Sequence, residues 1–485
     1  MLFNSFTFLI FFPVVVAVYF AIPHRFRWAW LLGASCYFYM AFIPVYILIL
    51  FFLISVDYAA GLLIEPATGA KRRMWLIMSL VANIGILAVF KYFNFLNANV
   101  HAIAEVFHWP YGMPMLSLVL PIGLSFHTFQ AMSYTIEVYR GRVKAERHVG
   151  IYALYVMFFP QLVAGPIERP QNLIPQFYQP HEFDYERVTN GLRRMAGGLF
   201  MKVVIADRLA RYVNIVYTDP SSFHGLTLVV ATIFFAFQIY CDFAGYSHIA
   251  IGAAQVMGFR LMENFNHPYL SQSISEFWSR WHISLSTWFR DYVYIPLGGN
   301  RVRKLRWYYN LFVTFLLSGL WHGANWTYVI WGGLNGFYLI SSLITAPIRE
   351  RLAIVAGLSQ RPRFHSVVRV ATTFALVCIA WVFFRANTLQ DVITIFTQLW
   401  ARPTLHQLIP FPLRGEGITK LEVAYSFLLI AGLVTYEVFA GRLGLSRKFR
   451  LQPVWVRWPA YYAFCMAIWL LGISTEAKAF IYFQF

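Results

Sequence analysis

Apolar stretches about 20 residues long recur from one end of this 485-residue sequence to the other, separated by clusters of arginine and lysine. A helix rises only about 1.5 Å per residue, so a run of that length is what crosses the hydrocarbon of a bilayer. A soluble core has no use for so many of them. Charged residues make up 12% and hydrophobic residues 59% of the chain, where soluble domains hold about 25% and about 45–50%. In lipid the backbone must satisfy its own hydrogen bonds, so the chain is expected to be an all-α integral membrane protein. Roughly 11–13 transmembrane or re-entrant helical segments are expected, some of them partial. Residues 1–485 read as one membrane domain.

The basic clusters orient the chain. HRFR (24–27), KRR (71–73), RGRVKAERH (140–148), RVRKLR (301–306), the stretch 349–369 and RKFR (447–450) fall on the cytoplasmic side under the positive-inside rule. The connections 97–115 and 218–225 contain neither lysine nor arginine and fall outside. Met1 then starts outside. With no basic residue before Arg25, residues 1–22 read as a retained first span rather than a cleavable signal. Residues 28–63 lie between two cytoplasmic clusters and are short for two full spans, which predicts a tilted or re-entrant hairpin turning near FIPVY.

A net charge of +18 would suggest nucleic acid in a soluble protein. Here the charge sits between spans, where it meets anionic headgroups, so the bilayer is the expected partner and nucleic acid is not. The four cysteines, Cys36, Cys241, Cys378 and Cys465, lie far apart in apolar runs. Neither they nor the histidines have metal-ligand spacing, so no metal site is expected.

Two segments break the hydrophobic pattern. FLLSGLWHGANWTYVIWGGLNG (315–336) reads as a spanning helix with His322 and Asn325 near its middle. On one continuous helix Ser318, His322 and Asn325 share a face, while Gly319 with Gly323 and Gly332 with Gly336 form small-xxx-small pairs for close contact. ENFNHPYLSQSISEFWSRWHISLSTWFRDYVYIPLGGN (263–300) is too polar to span freely. Its Trp278, Trp281, Leu285, Trp288, Phe289 and Tyr292 recur at three- and four-residue steps, which predicts an amphipathic helix at the interface or re-entering within protein walls. It carries His282 directly after Trp281, the same dipeptide as Trp321–His322.

An ionisable group in the membrane is costly and usually functional; a hydrogen bond to a neighbouring helix is the structural alternative. Two imidazoles in matching Trp–His settings suggest a shared chamber for base-assisted chemistry. A neutral imidazole takes a proton from a hydroxyl as it attacks a carbonyl. An activated acyl donor then needs little beyond positioning and oxyanion stabilisation. Asp242, in QIYCDFAGYSHIAIG (238–252), requires a partner or a cavity. Cys241 beside it has no base near it in the sequence. Glu168 and Arg169 are placed to pair with each other at a membrane boundary. Arg280 and Arg290 flank His282, positioned either to guide an anionic donor or to anchor at the interface. Spacing alone does not choose acyl transfer over transport.

The runs PYLSQSISEFWSRWHISLSTWFRDYVYIPLGGNR (268–301) and NLFVTFLLSGLWHGANWTYVIWGGLNG (310–336) resemble the membrane-bound O-acyltransferase family, in its bacterial alginate O-acetyltransferase-like branch. LPIGLSFHTFQAMSYTIEVYRG (120–141), FFPQLVAGPIERP (158–170), GFRLMENFNHPY (258–269), WVFFRAN (381–387) and FIYFQF (480–485) are similar to the same branch, with a motif core at about 120–340. The resemblance implies a ring of helices around a central funnel. It makes His322 the essential intramembrane histidine, the expected general base. It places His282 at a second family position, held by His in this branch and by Asn in many lipid-modifying members.

It further implies an inner-membrane O-acetyltransferase that takes acetyl from cytoplasmic acetyl-CoA, a substrate rather than a bound cofactor. The acetyl group passes across the membrane for an exported polysaccharide such as alginate. Periplasmic or membrane-anchored polysaccharide acetylation proteins are the implied partners. Trp281, Trp321, Asn325, Ser318, Arg280 and Asp242 are the candidate supporting or channel residues. The competing classes are a non-enzymatic polysaccharide or acyl exporter, and a lipid acyltransferase.

Overall fold

The computed structural model describes residues 1–400, 418–473 and 480–481, so residues 482–485 of the FIYFQF motif lie outside the described residues. Among the described residues every regular element is helical. The chain opens with α1 (Phe6–Ala21), α2 (His24–Met40), α3 (Ile47–Ile64), α4 (Gly69–Leu87) and α5 (Phe93–Val106). There follow α6 (Leu124–Tyr139), α7 (Val149–Met157) and α8 (Pro170–Phe177). α9 (Tyr185–Phe200) runs through a π-helical turn, Met201–Ala206, into α10 (Asp207–Thr218). Next come α11 (Leu226–Met257), α12 (Ile274–Arg280), α13 (Ile283–Phe289), α14 (Lys304–His322) and α15 (Trp326–Ile344). The last are α16 (Ala346–Val355), α17 (Pro362–Arg385), α18 (Leu389–Gln398), α19 (Lys420–Leu443), α20 (Leu445–Arg450) and α21 (Val454–Leu471).

Among the described residues six helices are long and apolar enough to cross a membrane, and α15 with α16, bent by 61°, makes a seventh if the two count as one span. Other expected segments are helical but short or too polar for that criterion: α1, for example, has 16 residues. Residues 28–63 form the expected hairpin, with α2 and α3 joined through a short turn at Pro44–Tyr46.

One compact unit comprises residues 1–195 and 246–263. Within it α3, α4 and α6 pack together around a fully buried carboxylate, Asp57. Ser79 Oγ donates to Asp57 Oδ1 at 2.6 Å and Asn83 Nδ2 at 2.9 Å, so the carboxyl group sits in an apolar bundle with hydrogen-bond partners of its own. The buried Glu168 carboxylate accepts the Met262 N–H and the Asn172 amide, each at 2.5 Å. Burial pushes this carboxyl up to about 7, against the pull of those hydrogen bonds and of the Arg169 charge. The expected Glu168–Arg169 attraction is therefore one contribution among several.

The other unit comprises the described residues within 196–245 and 264–481. Here the tract 315–336 departs from the expected single helix. α14 ends at His322, Gly323 is extended, and α15 begins after Asn325. The tract is a helical hairpin whose arms touch through glycine. Gly319 faces Gly332 rather than serving a distant helix: a Cβ on Gly319 would lie 2.3 Å from the Tyr328 carbonyl oxygen and 3.0 Å from Gly332 Cα. A side chain there must part the two arms. Gly319→Leu is expected to destabilise the protein by more than the ~1–3 kcal/mol usual for overpacking, because the clash is with backbone. The thermal midpoint of the purified protein in detergent measures this; an unchanged midpoint would refute the contact.

Candidate active site

The break in the 315–336 tract has a local cause. Asn325 caps α15, its Oδ1 accepting the Thr327 N–H at 3.0 Å, and an N-cap residue must leave the helical conformation. Its Nδ2 donates to the Asn387 carbonyl at 3.0 Å. Asn325 therefore does not share a helix face with His322 and Ser318, as a continuous helix would require. It pins the turn that follows His322 to the end of α17.

The 263–300 segment is broken in the same manner. Ser273 caps α12 by accepting the Glu276 N–H at 3.1 Å, and the helix stops at Arg280. His282 then adopts a left-handed backbone, φ 43° and ψ 55°, before α13 begins. Left-handed backbone is uncommon for a side chain other than glycine, asparagine or aspartate, and it concentrates at functional sites. The expected amphipathic helix is thus two short helices with a histidine at the corner. Asn264 holds that corner: its carbonyl accepts the Ile283 N–H at 2.9 Å and its Oδ1 accepts Ser284 Oγ at 2.9 Å.

These two corners meet. The Trp321 ring lies 6.1 Å from the His282 ring and 4.9 Å from the His322 ring. His322 also packs against Trp331 at 5.0 Å and Phe384 at 5.3 Å, and His282 against Phe243 at 4.6 Å. Trp281 contributes wall rather than a polar group, 5.1 Å from Trp381 and 5.5 Å from Phe277. Both imidazoles are buried, His282 at 0% and His322 at 3% exposure, inside a cage of aromatic rings. Such a cage fixes ring orientation and keeps out bulk water.

A cavity of about 500 Å³ is lined by residues next to these corners in the chain, and neither His282 nor His322 is among its walls. Trp278, Thr287, Arg290, Trp307, Thr314 and Ser318 are among its walls. It extends from Tyr294 and Trp307, near the basic 301–306 loop, to Ile283 beside His282 and Ser318 one turn before His322. The lining is mainly apolar with hydroxyls and one guanidinium, a composition suited to a flexible chain with polar groups along it.

The other predicted residues fall in different places. The Arg280 guanidinium donates to Glu276 at 2.6 Å on its own helix. Arg290 borders the cavity with its Nε donating to Asp291 at 2.8 Å. Asp242 has the partner it needed. Lys202 donates to Asp242 at 2.5 Å and to Asp207 at 2.9 Å, and Asp242 also accepts the Ile481 N–H at 2.6 Å. All three charged side chains are buried. Asp242 therefore braces α11 beside Phe243 and the His282 ring, and it is not a wall of the cavity. Cys241 is buried as well, in keeping with a small apolar side chain. Asn264, Lys202, Trp331, Trp381 and Phe384 were not singled out by sequence. Of these, only Lys202 carried a signal, as an isolated cation in an apolar run.

Residues 148–360 match the model of the membrane-bound O-acyltransferase family. The protein named probable alginate O-acetylase of Pseudomonas aeruginosa is 41% identical over 444 residues, covering 89% of this chain and 82% of that protein. The peptidoglycan O-acetyltransferase of Helicobacter pylori is 35% identical, covering 76% and 72%. The teichoic acid D-alanyltransferase of Bacillus subtilis is 27% identical, covering 56% and 70%. With its apolar spans, its histidine corners and these similarities, the chain is an acyltransferase of multi-pass membrane type that belongs to the membrane-bound O-acyltransferase family.

Proposed function

We propose that this protein O-acetylates an exported polysaccharide, alginate or a related exopolysaccharide, using cytoplasmic acetyl-CoA, with His322 as general base. The observation that carries this reading is the meeting of the two Trp–His corners at Trp321, beside a cavity whose walls include Ile283, the residue after His282, and Ser318, one turn before His322. The thioester enters through that cavity, its pantetheine arm along Trp278, Thr314 and Ser318. The acceptor hydroxyl attacks the acetyl carbonyl as His322 takes its proton. The C–S bond breaks, and the departing thiolate is protonated by the imidazolium, so no net proton is gained or lost. His282, held rigid at its left-handed corner, supports the reacting carbonyl from the other side of Trp321. The acceptor is the polymer or a periplasmic or membrane-anchored acetylation protein, and the membrane is the bacterial inner membrane.

Incubating the purified full chain with acetyl-labelled acetyl-CoA and acceptor-containing membranes tests this. Release of free CoA with label in the polysaccharide or its carrier protein is expected. Label in the lipid fraction would identify a lipid acyltransferase instead. Polymer movement without donor turnover would identify an exporter and defeat the reading.

A further inference from the structure

Among the described residues three side chains other than glycine hold a left-handed backbone, and two of them, His267 (φ 45°) and His282 (φ 43°), belong to the same segment of chain. Such a conformation costs backbone energy and persists only where the surroundings over-determine it. At His282 part of that support is the stretch 264–267, which runs alongside 280–284. The Asn266 N–H donates to the Arg280 carbonyl at 2.9 Å, and the Asn264 carbonyl accepts the Ile283 N–H at 2.9 Å. Phe265, between the two asparagines, sets its ring parallel to His282 at 6.5 Å and edge-on to Trp281 at 5.1 Å. His267 ends the stretch that holds the His282 corner in place.

A residue far along the chain grips that end. Glu437, on α19, has a side chain only 6% exposed. Its Oε1 accepts the Tyr240 hydroxyl at 2.5 Å and stands 3.5 Å from His267 Nδ1. A buried carboxylate is expensive unless it is paired and hydrogen-bonded, and a hydroxyl bond to a carboxylate is among the stronger ones. Among the described residues His267 is the basic side chain within ion-pair distance of it. That pair is half exposed on the histidine side and contributes little alone. The Tyr240 bond fixes the carboxylate, and the fixed carboxylate gives His267 a place to dock. Tyr240 in turn packs 5.9 Å from Phe265 and 6.1 Å from Trp281, ring to ring. Glu437 thus holds two parts that touch the His282 corner: the aromatic wall behind it, through Tyr240, and the stretch beside it, through His267.

We propose that Glu437 is a positioning residue for His282, keeping its imidazole set in the aromatic cage through Tyr240 and His267. This rests on the acyl-transfer reading of the two histidine corners, and it adds a residue outside the reacting groups. Misplacing a group by about 1 Å can cost about 10²-fold in rate, so a clamp one contact removed from the corner is enough to matter. The sequence gives no sign of it, because Tyr240 lies 197 residues from Glu437.

The test reads the setting of His282 directly. Diethyl pyrocarbonate modifies accessible imidazoles, and mass spectrometry of the purified full chain scores His282 and His322 separately. Both are buried, so both are expected to react slowly in the unaltered protein. Glu437→Leu, which removes both contacts, is expected to raise the His282 rate roughly tenfold or more through local opening and to leave the His322 rate unchanged. Glu437→Gln, which keeps an acceptor for Tyr240, and His267→Asn, which tolerates the left-handed backbone, are expected to give smaller rises confined to His282. An unchanged His282 rate in Glu437→Leu overturns the proposal. So does a rise shared equally by His322, which would mean general loosening. If Glu437→Leu elutes as aggregate, Glu437→Gln and His267→Asn carry the comparison under the same criteria. Acetyl transfer measured in parallel separates the two readings. In Glu437→Leu kcat is expected to fall about tenfold with KM for acetyl-CoA unchanged, since the cavity walls are untouched. A selective rise at His282 in a protein that transfers no acetyl even when unaltered defeats the enzymatic reading alone. Normal transfer with an unchanged His282 rate in the variants defeats the clamp alone.

Discussion

His322→Ala is expected to lower acetyl transfer from acetyl-CoA by roughly 10²–10⁴-fold, the range lost with a positioned acid–base group. The imidazole is buried at the junction of Trp321, Trp331 and Phe384. Truncation also empties space between aromatic rings, so stability must be separated from chemistry. His322→Gln does this: it fills much of the volume, retains hydrogen bonding and cannot serve as a base. Both variants are expected in membranes at near-normal abundance and in monodisperse form after purification. A His322→Gln protein that transfers acetyl at the normal rate would remove His322 from the mechanism. His282 requires another design because its backbone is left-handed. Asparagine tolerates that conformation, so His282→Asn removes the imidazole while leaving the corner intact. A severe loss of transfer is expected, and an unchanged rate would make His282 a purely structural residue.

The largest stability effect is expected at Lys202. Lys202→Met leaves Asp207 and Asp242 buried together without their cation, and breaking a buried ion pair from one side costs roughly 3–5 kcal/mol. Asp242→Asn should cost less. Lys202 keeps Asp207, and the asparagine carbonyl still accepts the Ile481 N–H. The triple neutral variant Lys202→Met, Asp207→Asn, Asp242→Asn should recover part of the loss, since what destabilises the single variant is uncompensated charge. Thermal midpoints in detergent measure all three. A Lys202→Met midpoint equal to that of the unaltered protein would show that the triad contributes nothing. Because Asp242 precedes Phe243, whose ring packs 4.6 Å from His282, loss of the triad is also expected to disturb the site.

The sequence made the chemistry more legible than the shape of the site. Trp281–His282 and Trp321–His322 stood out as dipeptides, and the structure brings them together through Trp321. Helical periodicity, however, was carried across GAN at 323–325, where glycine followed by a capping asparagine is itself a signal of one helix stopping and another starting. The aromatic periodicity likewise runs across His282, where α12 and α13 separate, and no sequence rule announces a left-handed histidine. The need of Asp242 for a partner was visible, but its identity was not, because Lys202 lies 40 residues away.

By itself the sequence determined the class of the molecule, predicted its orientation in the bilayer and singled out the two imidazoles on which the proposed chemistry centres. Those follow from quantities local along the chain: runs of apolar residues, the asymmetry of basic loops, and ionisable groups set where desolvation is costly. Only the tertiary structure decided that the histidines share a tryptophan, that Asp242 braces rather than lines the site, and that Asn325 ties the turn after His322 to Asn387. Each of these is a contact between elements distant in sequence. Such contacts are set by how helices pack and where their ends are capped, and periodicity within a single helix carries no information about them.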